Sequence, residues 1–214
     1  MSSNSEQRSN CRGPQSDAAL SRGEGGYPRS SAVVEATLRE FPEFRIVAKH
    51  GRWHQALIHQ LLRVATLGRQ CHYMTRYHTV MGYTLFVPES WRELDDMERA
   101  ILLRHERIHL RQRRRYGLIP FAALYLLPLL PIGLAYGRAR LEWEAYAETL
   151  RATAELKGLE AARSPALHAQ IVERFVGPDY LWMWPFPKAV QSWIDQLMST
   201  LRSEGAEMGK GRPR

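Results

Sequence analysis

The stretch Ala100-Ile101-Leu102-Leu103-Arg104-His105-Glu106-Arg107-Ile108-His109-Leu110-Arg111-Gln112 sets the pattern His-Glu-x-x-His inside an apolar helical repeat. Residues four apart on an α-helix lie about 40° apart on one face, so the imidazoles of His105 and His109 can turn toward a single metal ion. Glu106 sits one step round the helix. From there its carboxylate cannot join the histidines as a ligand, but it can reach a water at the metal and act as general base. The flanks are those of a helix. Asp95-x-x-Glu98 reads as a capping-box start, and Met97, Ile101, Leu102, Leu103 and Ile108 supply an apolar face. Arg111, Arg113, Arg114 and Arg115 then complement the helix dipole before Gly117 stops the chain.

Two histidines do not complete a metal site, and a third ligand is expected downstream. The best candidate run is Arg138-Ala139-Arg140-Leu141-Glu142-Trp143-Glu144-Ala145-Tyr146-Ala147-Glu148, read as a second helix beginning after Gly137. His-Glu-x-x-His followed at a distance by a helical Glu-x-x-Ala resembles the gluzincin zinc metallopeptidases, especially the CAAX-prenyl-protease-type branch and its small soluble relatives. The resemblance spans about 50 of 214 residues, and its first half is the more specific. It implies a zincin-like fold, Zn2+ held by His105, His109 and Glu142, and Glu106 as the group that activates water. Glu144 and Glu148 stay open as rival ligands. The chain departs from the family four residues past Glu142, where Tyr146 replaces an aspartate and leaves the usual support of the first histidine unassigned.

Other zinc patterns that share His-Glu-x-x-His fail on their remaining ligands. A metzincin needs Gly and His three and six residues after the second histidine, where this chain has Gln112 and Arg115. A peptide deformylase needs a cysteine in Glu-Gly-Cys, and Cys71 stands in Gln70-Cys71-His72.

A chain of 214 residues can bury one substantial core. Two cysteines, Cys11 and Cys71, are too few for a disulfide framework, which fits a reducing, cytoplasmic setting. The formal charge of +8 favours anionic partners, among them a membrane surface met through the apolar run 116–137. Residues 1–31 carry eight serines, four glycines and two prolines with almost no apolar side chains, so they read as a disordered tail without the apolar core of a signal peptide.

Beyond the tail, a short helix is expected near Val33–Arg39 and a strand near Phe44–Ala48. Trp53, Leu57, Leu61, Val64 and Ala65 recur at helical spacing and predict a packed amphipathic helix carrying His54 and His59 as structural or exposed residues. Cys71–Val80 and Tyr83–Val87 read as β-runs, the second a half-buried strand with Tyr83, Leu85 and Val87 on one face. A strand just before the metal helix could be the edge that aligns an extended substrate. His72 and His78 in these runs are weak candidates for ligands.

Tyr116–Gly137 runs 22 residues without a charge, long enough on its own for a membrane helix. Sharing one zinc between His105, His109 and Glu142 returns both ends to the same side, which excludes a single crossing. Pro120, Pro128, Pro131 and Gly133 break the run into arms of roughly 12–15 Å if helical, too short to span. It is either a re-entrant element touching a bilayer or a hydrophobic crossover. Further on, Ser164-Pro165 starts a helix with Leu167, Ile171, Val172 and Phe175 inward. The aromatic run Tyr180–Pro187 leads to a last helix marked by Val190, Trp193, Ile194, Leu197, Met198 and Leu201.

These readings predict a mostly helical α+β domain over 32–203, zincin-like, with a small sheet packed beside the motif helix, the insertion 116–137, and a basic polar tail over 204–214. The expected activity is zinc-dependent hydrolysis of a peptide or protein substrate, with oxyanion donors sought among Tyr146, Tyr180 and His78. The alternative is a non-catalytic, basic, membrane-associated or adaptor protein with a structural or degenerate zinc site. Nucleic-acid binding is not expected, since no reader motif accompanies the arginines.

Overall fold

The motif helix is built from its caps inward. Asp95 accepts a hydrogen bond from the Glu98 amide at 2.7 Å, and the Glu98 carboxylate accepts from the Asp95 amide at 3.2 Å. This reciprocal pair satisfies two of the amides that a helix start leaves open. The helix then runs unbroken to Tyr116 and ends at Gly117, whose φ of +81° suits a residue without a Cβ.

The computed structural model describes residues 26–50, 52–65, 73–117, 119–121, 132–177 and 183–210. In chain order these form α1 (Pro28–Glu40), β1 (Arg45–Ala48), α2 (Trp53–Ala65), α3 (Tyr73–Arg76), β2 (Thr79–Met81) and β3 (Thr84–Val87). A 3-10 turn (Glu89–Arg92) leads into α4 (Asp96–Tyr116), followed by α5 (Ile132–Lys157), α6 (Leu159–Ala162), α7 (Pro165–Val176) and α8 (Pro187–Lys210). The fold is mostly helical with one three-stranded sheet, an α+β arrangement.

The sheet order is β1-β3-β2, with β1 parallel and β2 antiparallel to β3. This corrects two expectations. The strand Thr84–Val87 is central and cannot serve as the edge, a position held by β1 and β2. Leu85, Phe86 and Val87 are all buried, because a central strand between packed layers has no wet face to alternate toward. The run Cys71–Val80 is also not a continuous strand. Its described part forms the short helix α3 before β2 begins at Thr79.

Two cores flank the motif helix. Leu103 and Leu110 of α4 join Val34, Phe41, Ile46 and Leu85 on the sheet side. On the other side Leu150 of α5 packs with Ile171, Phe175, Val190 and Ile194 of α7 and α8. Helices α4 and α5 run antiparallel along the seam, shown by the pairs Gln112–Leu141, His105–Thr149 and Lys157–Glu98. A polar site can persist at such a seam because each helix buries its apolar stripe elsewhere.

Three boundaries differ from expectation. Helix α1 starts at Pro28, inside the segment read as a disordered tail, because its first amides are capped from a distance. Asp96 accepts from Arg29 N at 2.9 Å and Ser30 N at 2.8 Å. Burial opposes the charge on Asp96, but these bonds prevail and hold its carboxyl below the usual range. Helix α5 begins at Ile132 rather than after Gly137, and α8 continues past residue 203 to Lys210.

Helix α2 exists where periodicity placed it, yet two of its expected inward residues are not inward. Trp53 is 77% exposed and Leu57 52%, while Gln55 is buried and donates to Met81 Sδ. The side chains of Leu61, Val64, Ala65 and His54 lie outside the described residues. So do residues 122–131, where the choice between re-entrant element and crossover falls. Among the described residues no helix is long and apolar enough to cross a membrane.

Candidate metal centre

His105, Glu106 and His109 come from α4, and Glu142 from α5 faces them across the seam. His109 Nε2 lies 3.2 Å from His105 Nε2 and 3.8 Å from Glu142 Oε2. One ligand atom from each of His105, His109 and Glu142 falls within 4.8 Å of the others, a grouping that could hold a metal ion. The two rivals do not converge there. Glu144 accepts from Gln112 Nε2 at 2.9 Å, and Glu148 pairs with Arg104 at 2.7 Å.

The hydrogen bonds behind the histidines assign their tautomers. Gln112 donates through Nε2 to Leu141 O at 2.8 Å and to Glu144, so its Oε1, 3.0 Å from His109 Nδ1, is an acceptor. Nδ1 of His109 therefore carries the proton. At His105 the partner is Thr149, whose hydroxyl donates to Ala145 O at 3.2 Å and accepts from Nδ1 at 3.0 Å. With Nδ1 engaged from behind, each ring turns its Nε2 toward the other, 3.2 Å apart. A tetrahedral ion with bonds of about 2.0–2.1 Å spaces two nitrogens about 3.3 Å apart, close to this separation. A donor set of two imidazoles and a buried carboxylate fits zinc in spacing and ligand type.

Burial shapes the charges around the site. It holds the His105 imidazole well below its usual range, helped by the neighbouring His109. Such a histidine is neutral, the form that binds metals. Burial also pushes the Glu106 carboxyl up to about 7, with Glu142 adding to the rise and His109 and Lys49 opposing it. A carboxyl poised there can both take and release a proton near neutrality.

Tyr146, four residues past Glu142, packs on the first histidine. Its ring stands edge to face against His105, centroids 4.9 Å apart, and the polar support of that histidine comes from Thr149. His78 lies against Trp91 at 5.7 Å and lines the same cleft as His105 and Glu106. Burial, reinforced by Lys49, drives its imidazole down to about 3, so it is neutral and outside the three-residue grouping. Tyr180 and His72 lie outside the described residues.

Three residues of the site had not stood out as functional. Gln112 lies one helical turn past His109 and Thr149 two turns past Glu142, a periodicity that could have marked both. Lys49 carries no such signal. It follows β1, is 1% exposed, and donates from Nζ to Thr79 Oγ1 at 2.9 Å at the edge strand. The arginines of α4 are largely consumed by structure: Arg107, Arg111 and Arg114 all pair with Glu40, and Arg104 with Glu148 and Glu155.

Compared with known proteins, the chain matches no family model, no curated protein and no solved structure.

Proposed function

We propose that this chain is a gluzincin-type zinc metallopeptidase with a zincin-like arrangement, in which His105, His109 and Glu142 hold the ion and Glu106 is the general base. The observation that carries the reading is the convergence of His105, His109 and Glu142, with the two Nε2 atoms 3.2 Å apart and both rings held from behind by Gln112 and Thr149. When bound, zinc supplies Lewis acidity, polarising a carbonyl and acidifying water. The remaining steps belong to the chain. Glu106 accepts the proton of the attacking water as its oxygen joins the carbonyl carbon, then delivers that proton to the amide nitrogen as the C–N bond breaks. Tyr146 and His78, both lining the cleft, are candidate donors toward the oxyanion.

The edge strand β2 supports the same reading. No strand pairs with its outer side among the described residues, and it stands beside α4. An extended peptide can add there as a further strand and run across the cleft past Glu106.

A mixed peptide library analysed by mass spectrometry tests the activity. Zinc-loaded protein is expected to cut it, chelation to stop the cutting, added zinc to restore it, and Glu106→Gln to reduce it at least a hundredfold, in keeping with loss of general-base catalysis. An intact library after incubation with zinc-loaded, folded protein would overturn the proposal.

A further inference from the structure

A cavity of about 640 Å³ opens beside the candidate metal residues, and its wall carries Arg174 as well as His105, Glu106 and Tyr146. Tyr146 packs on His105 and, at 5.6 Å, on Phe175, the next residue after Arg174. The Arg174 guanidinium lies over the Tyr77 ring at 5.1 Å, two residues before edge strand β2. The cavity's other cation sits by the start of α4. Lys157 is tied to Glu98 at 3.4 Å and Asp95 at 3.9 Å, about 10 Å along α4 from His105. Leu94, Ile101, Leu102, Leu167 and Ile171 give the cavity an apolar wall.

We infer, building on the peptidase reading, that Arg174 is a specificity-determining residue that binds a substrate carboxylate next to the cleaved bond. The carboxylate is either the peptide's C-terminus or an Asp or Glu side chain. A strand added to β2 runs past Tyr77 and meets the guanidinium there. Stacking on Tyr77 holds the planar fork in place before the substrate arrives, so little freedom is lost on binding. The apolar wall lowers the local dielectric and strengthens the ion pair relative to one in water. That wall also accommodates an apolar side chain beside the charged group.

The test uses matched fluorescein-labelled peptides, Ala-Ala-Leu-Ala and Ala-Glu-Leu-Ala, each as C-terminal acid and as amide, with the Gln version of the second. Binding is read by anisotropy to zinc-loaded Glu106→Gln protein, and cleavage by zinc-loaded wild type. Peptides bearing the recognised carboxylate are expected to bind about ten- to a hundredfold more tightly than their neutral partners, as for a charge-assisted hydrogen bond. Arg174→Gln is expected to erase that preference while leaving the neutral peptides unchanged, and Arg174→Lys to retain part of it. The acid and amide arms show which carboxylate is read. Equal binding of charged and neutral peptides, or an equal loss for both in Arg174→Gln, would overturn the assignment. Acid-selective binding without cleavage would keep Arg174 and discard hydrolysis, whereas cleavage without the preference would do the reverse.

Discussion

Gln112 accepts a hydrogen bond from Nδ1 of His109 at 3.0 Å while its own amide nitrogen is held by Leu141 O and Glu144. The amide cannot flip without losing two bonds, so the histidine is locked as the tautomer that presents Nε2. Replacing Gln112 by Leu is expected to weaken zinc binding about ten- to a hundredfold, measured by competition with a chromophoric chelator. Thr149→Val removes the corresponding acceptor from His105 and is expected to act in the same direction, with Thr149→Ser restoring affinity. Unchanged affinity in both Gln112→Leu and Thr149→Val would mean that the imidazoles are not oriented from behind.

Glu106 is buried in the folded chain at a cost that pH reveals. Its carboxyl is raised to about 7 from an ordinary value of 4.5, so the folded state holds the proton more tightly than the unfolded state between those limits. Stability from this group is complete below 4.5 and is lost as pH rises through about 7. In metal-free protein, Glu106→Gln is therefore expected to raise Tm most at pH 8 and hardly at all at pH 4. A thermal scan of both chains at the two pH values checks this.

Lys49 has the opposite titration. Burial lowers its ammonium to about 7 from 10.5, opposed by attraction to Glu106, so the unfolded chain binds more protons between those values. The destabilisation is complete below about 7 and fades as pH rises toward 10.5. Lys49→Met is expected to stabilise the fold at pH 7 by a few kcal/mol, less whatever the lost bond to Thr79 contributes, with the gain shrinking by pH 10. Urea unfolding at the two pH values measures the difference. A gain independent of pH would locate the cost in packing instead of charge.

Local signals in the sequence were strong where one helix supplies both the residue and its partner. The Asp95–Glu98 cap, the Gly117 stop and the shared face of His105 and His109 are all set within a few residues. The choice among Glu142, Glu144 and Glu148 was not local. It is made by Gln112 and Arg104 on the facing helix, which engage the other two carboxylates. Distance also hid the start of α1, whose cap is Asp96, 66 residues beyond Ser30. Helical spacing gave α2 but not its buried face, because Gln55 found Met81 while Trp53 and Leu57 stayed exposed. In β3 the alternation was overridden by packing on both faces, which buries Phe86 as well as Leu85 and Val87.

Bound zinc per chain, measured by elemental mass spectrometry on purified wild type beside His109→Ala, Glu142→Ala and Glu106→Gln, tests the central claim most directly. One zinc per chain is expected in wild type and in Glu106→Gln, with loss in the other two variants, because Glu106 is the base and not a ligand. A folded wild type that takes up no zinc, or one whose zinc survives both His109→Ala and Glu142→Ala, would contradict the account.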